Sequence, residues 1–258
     1  MKPLLRFLTM LGALVWASPA AQWSGQSLNA DGVRIRYYVQ GSGEPVVLIH
    51  GWLSSASINW ALPGTAALLA KDHRVIALDM RGHGLSDKPT KEEAYGPELV
   101  QDIVRLLDHL QIPKAHIVGY SMGGIVAENF IVRHPDRVLS GMLGGMGWLT
   151  PGGGAQWMFS RIGAKDPDAK ALTLCGRSLA KLAVTEGEIR SVRVPTEILV
   201  GSEDGVIKAL YVDPLRKLRP DWPVVEIQGA GHINCILKPQ FREAIAAWLK
   251  PNAGRVAK

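Results

Sequence analysis

Cysteine is scarce in this chain of 258 residues: Cys175 and Cys235 are the whole supply. A scaffold held by many disulfides is therefore excluded. One Cys175–Cys235 bridge could form if the protein is exported and the two Cα atoms come within about 7 Å. The other reading is two buried thiols packed as small hydrophobes. The chain also has no internal repeat and no low-complexity run. No metal-ligand spacing is visible, and neither a metal nor an organic cofactor is expected. Basic charge is thin. The formal net charge is +6. Lys2 and Arg6 supply two of those charges in a first segment that holds no acid. The densest basic cluster, Arg216, Lys217 and Arg219, lacks interleaved aromatics, so it reads as a solvated helix face and nucleic acid is not an expected partner.

What the chain does have is 47% hydrophobic and 20% charged residues, a globular composition in a length that suits one α/β domain. The N-terminus reads as an export signal. Lys2 and Arg6 precede the apolar run Phe7–Trp16, and Ser18-Pro19-Ala20 supplies small residues for cleavage after Ala20 or Ala21. Residues 1–21 are thus expected to be removed, leaving a secreted or periplasmic domain over 22–258. An uncleaved membrane anchor is the alternative, but the run is short against the roughly 20 residues of a spanning helix. No stable membrane insertion is expected after cleavage. Nothing in the chain indicates an oligomeric state.

Apolar runs and helical periodicity alternate, as in a mostly parallel sheet wrapped by helices. Val33–Tyr38 alternates and reads as an edge strand. Val46–Ile49 is continuously apolar, as a strand buried on both faces would be. Further strands are expected at Arg74–Asp79, Ile117–Val118, Val138–Leu143, Ile198–Val200 and Val224–Ile227. Leu99, Ile103, Leu106, Leu107 and Leu110 recur at helical spacing, and Phe241, Ile245, Trp248 and Leu249 mark a closing helix. Residues 149–192 interrupt the alternation and are longer than a crossover needs. They read as a short helical insertion, in which Asp166-Pro167 resembles a helix start. Trp148, Trp157, Met158 and Phe159 lie at or in it. They could wall an apolar substrate pocket, or simply pack the insertion against the core.

The chemistry is concentrated at Gly119-Tyr120-Ser121-Met122-Gly123, between an apolar strand and the helix-like run that ends at His134. A serine at the tip of a strand–turn–helix elbow is exposed and flanked by small residues because the turn is crowded. A hydroxyl is a weak nucleophile. It needs an imidazole to take its proton, a carboxylate to hold that imidazole, and N–H groups to meet the developing oxyanion. Asp204 follows the Ile198–Val200 strand in Gly201-Ser202-Glu203-Asp204, with Glu203 as a rival acid. His232 follows the last strand in Gly229-Ala230-Gly231-His232. His73, His109 and His134 read as capping or exposed residues near helix ends. His50-Gly51-Trp52 ends the Val46–Ile49 strand, so the N–H of Trp52 can stand beside that of Met122 as an oxyanion hole. Asp79-Met80-Arg81-Gly82-His83-Gly84-Leu85-Ser86 reads as a supporting loop, with Arg81, His83 and Asp87 structural.

Taken together and in this order, these motifs resemble those of the α/β-hydrolase superfamily from about Val33 to Leu249. The resemblance implies an α/β-hydrolase fold with a mostly parallel eight-stranded sheet, flanking helices and a short helical lid after the sixth strand. It implies Ser121 as nucleophile, His232 as base and Asp204 as the residue that orients it. Epoxide hydrolases and haloalkane dehalogenases resemble the chain at Asp79–Leu85 but carry an aspartate at the elbow, which Ser121 argues against. A small ester-like molecule is the expected substrate. Peracid or C–C bond chemistry with the same triad, and a ligand-binding protein with little turnover, are the other readings.

Overall fold

The computed structural model describes residues 23–152 and 167–250. Strands β1 (Ser24–Ala30), β2 (Val33–Gln40), β3 (Glu44–Ile49), β4 (His73–Leu78), β5 (Ala115–Tyr120), β6 (Val138–Gly144), β7 (Thr196–Gly201) and β8 (Val224–Ile227) form one sheet in the order 1-2-4-3-5-6-7-8. β1, β2 and β4 pair antiparallel, and every other neighbouring pair is parallel. The chain leaves β3 toward β4 on one side and leaves β5 toward β6 on the other. Their loops diverge at the carboxyl ends of two adjacent strands, the place where open α/β sheets form a crevice.

Val33–Tyr38 is not the sheet edge. β1 covers its outer side in register from Ser24↔Val39 to Ala30↔Val33. β1 is Ser-Gly-Gln-Ser-Leu-Asn-Ala, and only Leu28 and Ala30 supply apolar side chains to the core. An edge strand with one solvated face needs no more than that.

The central strands carry continuous apolar runs because both faces are covered. Alternate residues of the strands, including Val47, Ile49, Ile117, Leu143 and Ile198, belong to a core that also contains residues of α2 (Pro97–His109) and α3 (Met122–Arg133). The residues between them, including Val46, Leu48, Val118, Met142 and Leu199, pack with α1 (Thr65–Leu69) and the closing helix Pro239–Leu249. In α2 the expected periodicity is present, with Leu99, Ile103, Leu106 and Leu107 buried and Pro97 at the first helical turn.

The two cysteines lie in different cores and are both free and buried, so of the two readings the bridge is set aside and the packed thiols remain. The sheet stands between them. Cys175 packs with its Sγ 3.8 Å from Met122 Sδ, while Cys235 is in the core of the closing helix.

The described part of the insertion comprises α4 (Pro167–Ser178), a 3-10 turn (Leu179–Leu182) and α5 (Glu186–Ser191). α4 is described from Pro167 onward, and Asp166 lies outside the described residues. α5 starts with a capping box between Thr185 and Glu188. α6 (Asp213–Leu218) and α7 (Pro239–Leu249) lie before and after β8. The proposed signal segment 1–21 and residues Trp157, Met158 and Phe159 lie outside the described residues. Among the described residues, no helix is long and apolar enough to cross a membrane.

The loop after β4 is fastened to α2 by a buried guanidinium. Arg81 is 2% exposed and bonds Asp102 through both Nε (2.7 Å) and Nη2 (2.5 Å), while Nη1 donates to the carbonyl of Ala94 at 2.6 Å. Such two-toothed, charge-assisted pairs are specific in geometry. Removing Asp102 takes away the two-toothed partner of a buried charge and leaves it with the Glu98 carboxylate, 3.4 Å from Nη2. Asp102→Ala is expected to lower the unfolding free energy by about 3–5 kcal/mol in urea titrations, and a loss under about 1 kcal/mol, the worth of a surface pair, would contradict this account.

Candidate active site

Ser121 sits at the turn between β5 and α3 with φ 54° and ψ −114°. This is a conformation that L-residues avoid, at a cost of order 1–3 kcal/mol. The surroundings enforce it. Its N–H bonds the Gly144 carbonyl at 2.8 Å, and its own carbonyl accepts from Gly124 and Ile125 at 2.8 and 3.2 Å. A Cβ on Gly119 would overlap the carbonyl of Gly123, and a Cβ on Gly123 would overlap the carbonyl of Ile49. The two glycines let the elbow close and let α3 seat directly on the end of β3.

His232 reaches the elbow from the loop after β8. Its Nε2 is 2.9 Å from Ser121 Oγ and its Nδ1 is 2.7 Å from Asp204 Oδ2. The carboxylate can only accept, so Nδ1 carries the proton and Nε2 is left to accept from the serine hydroxyl. Asp204 is 6% exposed, whereas Glu203 is exposed and its N–H is taken by the Ala230 carbonyl at 2.9 Å. That backbone bond, with Ser202 N–H to the Ile227 carbonyl at 3.0 Å, ties the β7 and β8 loops together. It sets Asp204, not Glu203, against the imidazole.

Tyr120, the residue before the serine, donates its hydroxyl to the backbone carbonyl of His232. It thus pins the histidine loop to the elbow strand. Asn59 does comparable work on the other side, accepting the Gly51 N–H with its Oδ1 at 2.6 Å. Sequence reasoning missed both. Their partners are main-chain atoms, and the sole hint was that each stands within reach of a motif already singled out.

Met122 is the first residue of α3, where N–H groups have no carbonyl one turn back. Trp52 follows Gly51 on the loop that leaves β3. The Trp52 indole donates to the Leu172 carbonyl at 3.0 Å, so its side chain docks α4 over the site. The Trp148 indole donates to the Val184 carbonyl at 2.8 Å and packs against the core.

Asp79 fastens the loops around this crevice. Its Oδ1 accepts from Ala56 N–H at 2.8 Å and its Oδ2 from Leu85 N–H at 2.9 Å. His50 is fully buried, with Nε2 accepting from Met80 N–H at 3.0 Å and Nδ1 donating to the Gly51 carbonyl at 2.7 Å. Burial lowers its pKa to about 4. Burial, reinforced by neighbouring His50, lowers His83 to about 3. His83, Arg81 and Asp87 serve the loop. Asp87 holds the backbone and guanidinium of Arg34 at 2.8 and 3.0 Å.

A family model of the alpha/beta hydrolase fold matches residues 44–185. The 2-hydroxymuconate semialdehyde hydrolase of Pseudomonas sp. (strain CF600) is 37% identical over 142 residues, which are 53% of this chain and 50% of that protein. Bifunctional epoxide hydrolase 2 of Rattus norvegicus is 36% identical over 109 residues, 42% of this chain and 19% of that protein. The chain therefore spans half or less of the length of these curated relatives. Among solved structures, a meta-cleavage product hydrolase from Pseudomonas fluorescens superposes with a TM-score of 0.65 at 28% identity, covering 86% of this chain and 96% of that one.

The two buried imidazoles make stability depend on pH. An unfolded histidine titrates near 6.5, above both folded values, so below that pH the unfolded chain binds more protons. Stability is complete above about pH 6.5 and is lost as the pH falls toward 4. The expected fall in unfolding free energy between pH 6.5 and 4.5 is on the order of a few kcal/mol. Nitrogen-15 NMR of the native protein at pH 5 should find His50 neutral with its proton on Nδ1, and a doubly protonated ring there would contradict the assignment.

Proposed function

Because the chain belongs to the α/β-hydrolase family, we propose that it is a serine hydrolase that cleaves carboxylic esters through an acyl-enzyme. The observation that carries this reading is the single line of hydrogen bonds from Asp204 through His232 to Ser121, assembled from three separate loops.

Ser121 Oγ attacks the acyl carbonyl while His232 Nε2 takes its proton. Asp204 holds the imidazole in the required tautomer and stabilises the imidazolium. The carbonyl oxygen becomes an oxyanion between the N–H groups of Trp52 and Met122. Removing one such donor typically costs about 2.7–4 kcal/mol of barrier. His232 then gives its proton to the leaving alcohol. Water, activated by the same imidazole, releases the acid and restores the serine. Apart from water and the ester itself, each step uses groups of this chain alone. The N-terminal segment supports export as the setting.

The relatives favour a second reading, hydrolysis of a C–C bond with the same three residues. One of them is named for 2-hydroxymuconate semialdehyde and another for meta-cleavage products. Comparing p-nitrophenyl esters with 2-hydroxymuconate semialdehyde as substrates separates the two, and turnover of the second alone would replace the ester reading. In either case Ser121→Ala should abolish turnover and Asp204→Asn should lower kcat by about 10⁴-fold, while Glu203→Gln stays near wild type. Full activity in Ser121→Ala would sink the proposal, and a large loss in Glu203→Gln with none in Asp204→Asn would reverse the acid assignment.

A further inference from the structure

The end of the sheet remote from Ser121 gathers a second set of polar side chains. Glu44 opens β3, His73 opens β4, and His116 is the second residue of β5. The register pairs Glu44 with His73 and Val46 with His116. One potential ligand atom from each of the three residues lies within 4.8 Å of the other two. His116 is buried. Its Nε2 is 2.9 Å from Glu44 Oε2 and its Nδ1 is 2.7 Å from Ser140 Oγ. His73 is 7% exposed, and its Nδ1 has no hydrogen-bond partner. Its ring stands edge-on to that of His116, with centroids 6.2 Å apart. A cavity of about 570 Å³ opens onto Glu44 and His73, and its wall includes Asp72, Glu243, Lys71 and Lys250.

We propose that Glu44, His73 and His116 bind a divalent transition-metal ion of the zinc class. Two imidazole nitrogens and one carboxylate oxygen are a donor set such ions favour, and three protein ligands leave a fourth position for water. A tetrahedral ion with bonds of about 2.1 Å holds its ligand atoms roughly 3.4 Å apart. Small side-chain rotations bring the present cluster to that spacing. Ser140 supplies the outer hydrogen bond that orients a ligating histidine and selects its tautomer. At present a proton lies between His116 Nε2 and Glu44. The metal takes that place and the proton leaves to solvent. The buried Nδ1 of His73, which has no hydrogen-bond partner, is a second observation that points to an ion, because buried polar groups nearly always have a partner.

The cavity gives the ion access from solvent. Its two lysines are matched by the carboxylates of Asp72 and Glu243. The ion would clip together the starts of β3, β4 and β5. It takes no part in chemistry at Ser121, which lies beyond the opposite ends of these strands. The inference is independent of which bond the enzyme cleaves.

The test is calorimetric titration of the full-length, chelator-stripped protein with Zn²⁺, paired with the shift in Tm. Wild type should bind one ion at this site and melt higher with it, since a ligand of the native state alone stabilises that state. Glu44→Gln and His73→Ala should each weaken the affinity about tenfold or more. His232→Ala should bind as wild type does, which separates this site from the Ser121 crevice. Should His73→Ala fail to fold, Glu44→Gln decides alone, because it changes a half-exposed side chain at constant volume. Absence of both heat and Tm shift in wild type would overturn the proposal. So would undiminished binding in Glu44→Gln, or loss of binding in His232→Ala.

Discussion

The seating of α3 on the end of β3 is the contact on which the rest of the site depends. Gly123 has no side chain, so the first turn of the helix approaches the carbonyls of Ile49 and His50 directly. A helix held there forces Ser121 into its strained turn and brings the start of α3 beside the loop that carries Trp52. The strain is offset by the bonds of Ser121 to Gly144, Gly124 and Ile125. A Cβ at Gly123 would overlap the Ile49 carbonyl oxygen, so any side chain there would force the helix off the end of β3.

Around that contact the molecule uses polar side chains mainly to hold backbone. Asp79 binds the N–H groups of two loops, Asn59 binds that of Gly51, and Tyr120 holds the carbonyl of His232. Arg81 and Asp102 fasten the β4 loop to α2 from beneath. These side chains act on backbone in the proposed cycle: Tyr120 holds the loop that carries His232, and the others fasten the loops after β3 and β4. The opposite end of the sheet shows a different economy. There Glu44, His73 and His116 converge at strand starts, with little backbone left to hold and one imidazole nitrogen unpartnered.

Legibility in the sequence followed physical cause. The strands from β3 to β7 are buried on both faces, so each appears as an apolar run, and the expected segments match them within a residue or two. β1 escaped because an edge strand needs only Leu28 and Ala30 to face inward. Ser121, Asp204 and His232 were legible because each follows a strand and the chemistry prescribes their types and order. His73 was misread as a helix-end residue when it is the buried first residue of β4. Asn59 and Tyr120 were not legible, since a side chain that bonds a distant backbone leaves no pattern in linear spacing. The Glu44–His73–His116 cluster was invisible for the same reason. Sheet register alone brings those positions together. Whether Cys175 and Cys235 pair stayed open because nothing in the chain says which face of the sheet each residue will occupy.

The central claim is that Ser121 becomes covalently acylated through its contact with His232. Rapid quenching of the enzyme with excess p-nitrophenyl ester, followed by mass spectrometry of the digested protein, tests it most directly. The account predicts an acyl group on the peptide that contains Ser121, formed in step with a burst of p-nitrophenolate and greatly slowed in His232→Ala. Steady turnover with no acyl group on Ser121 at any quench time, or an acyl group on another residue, would contradict it.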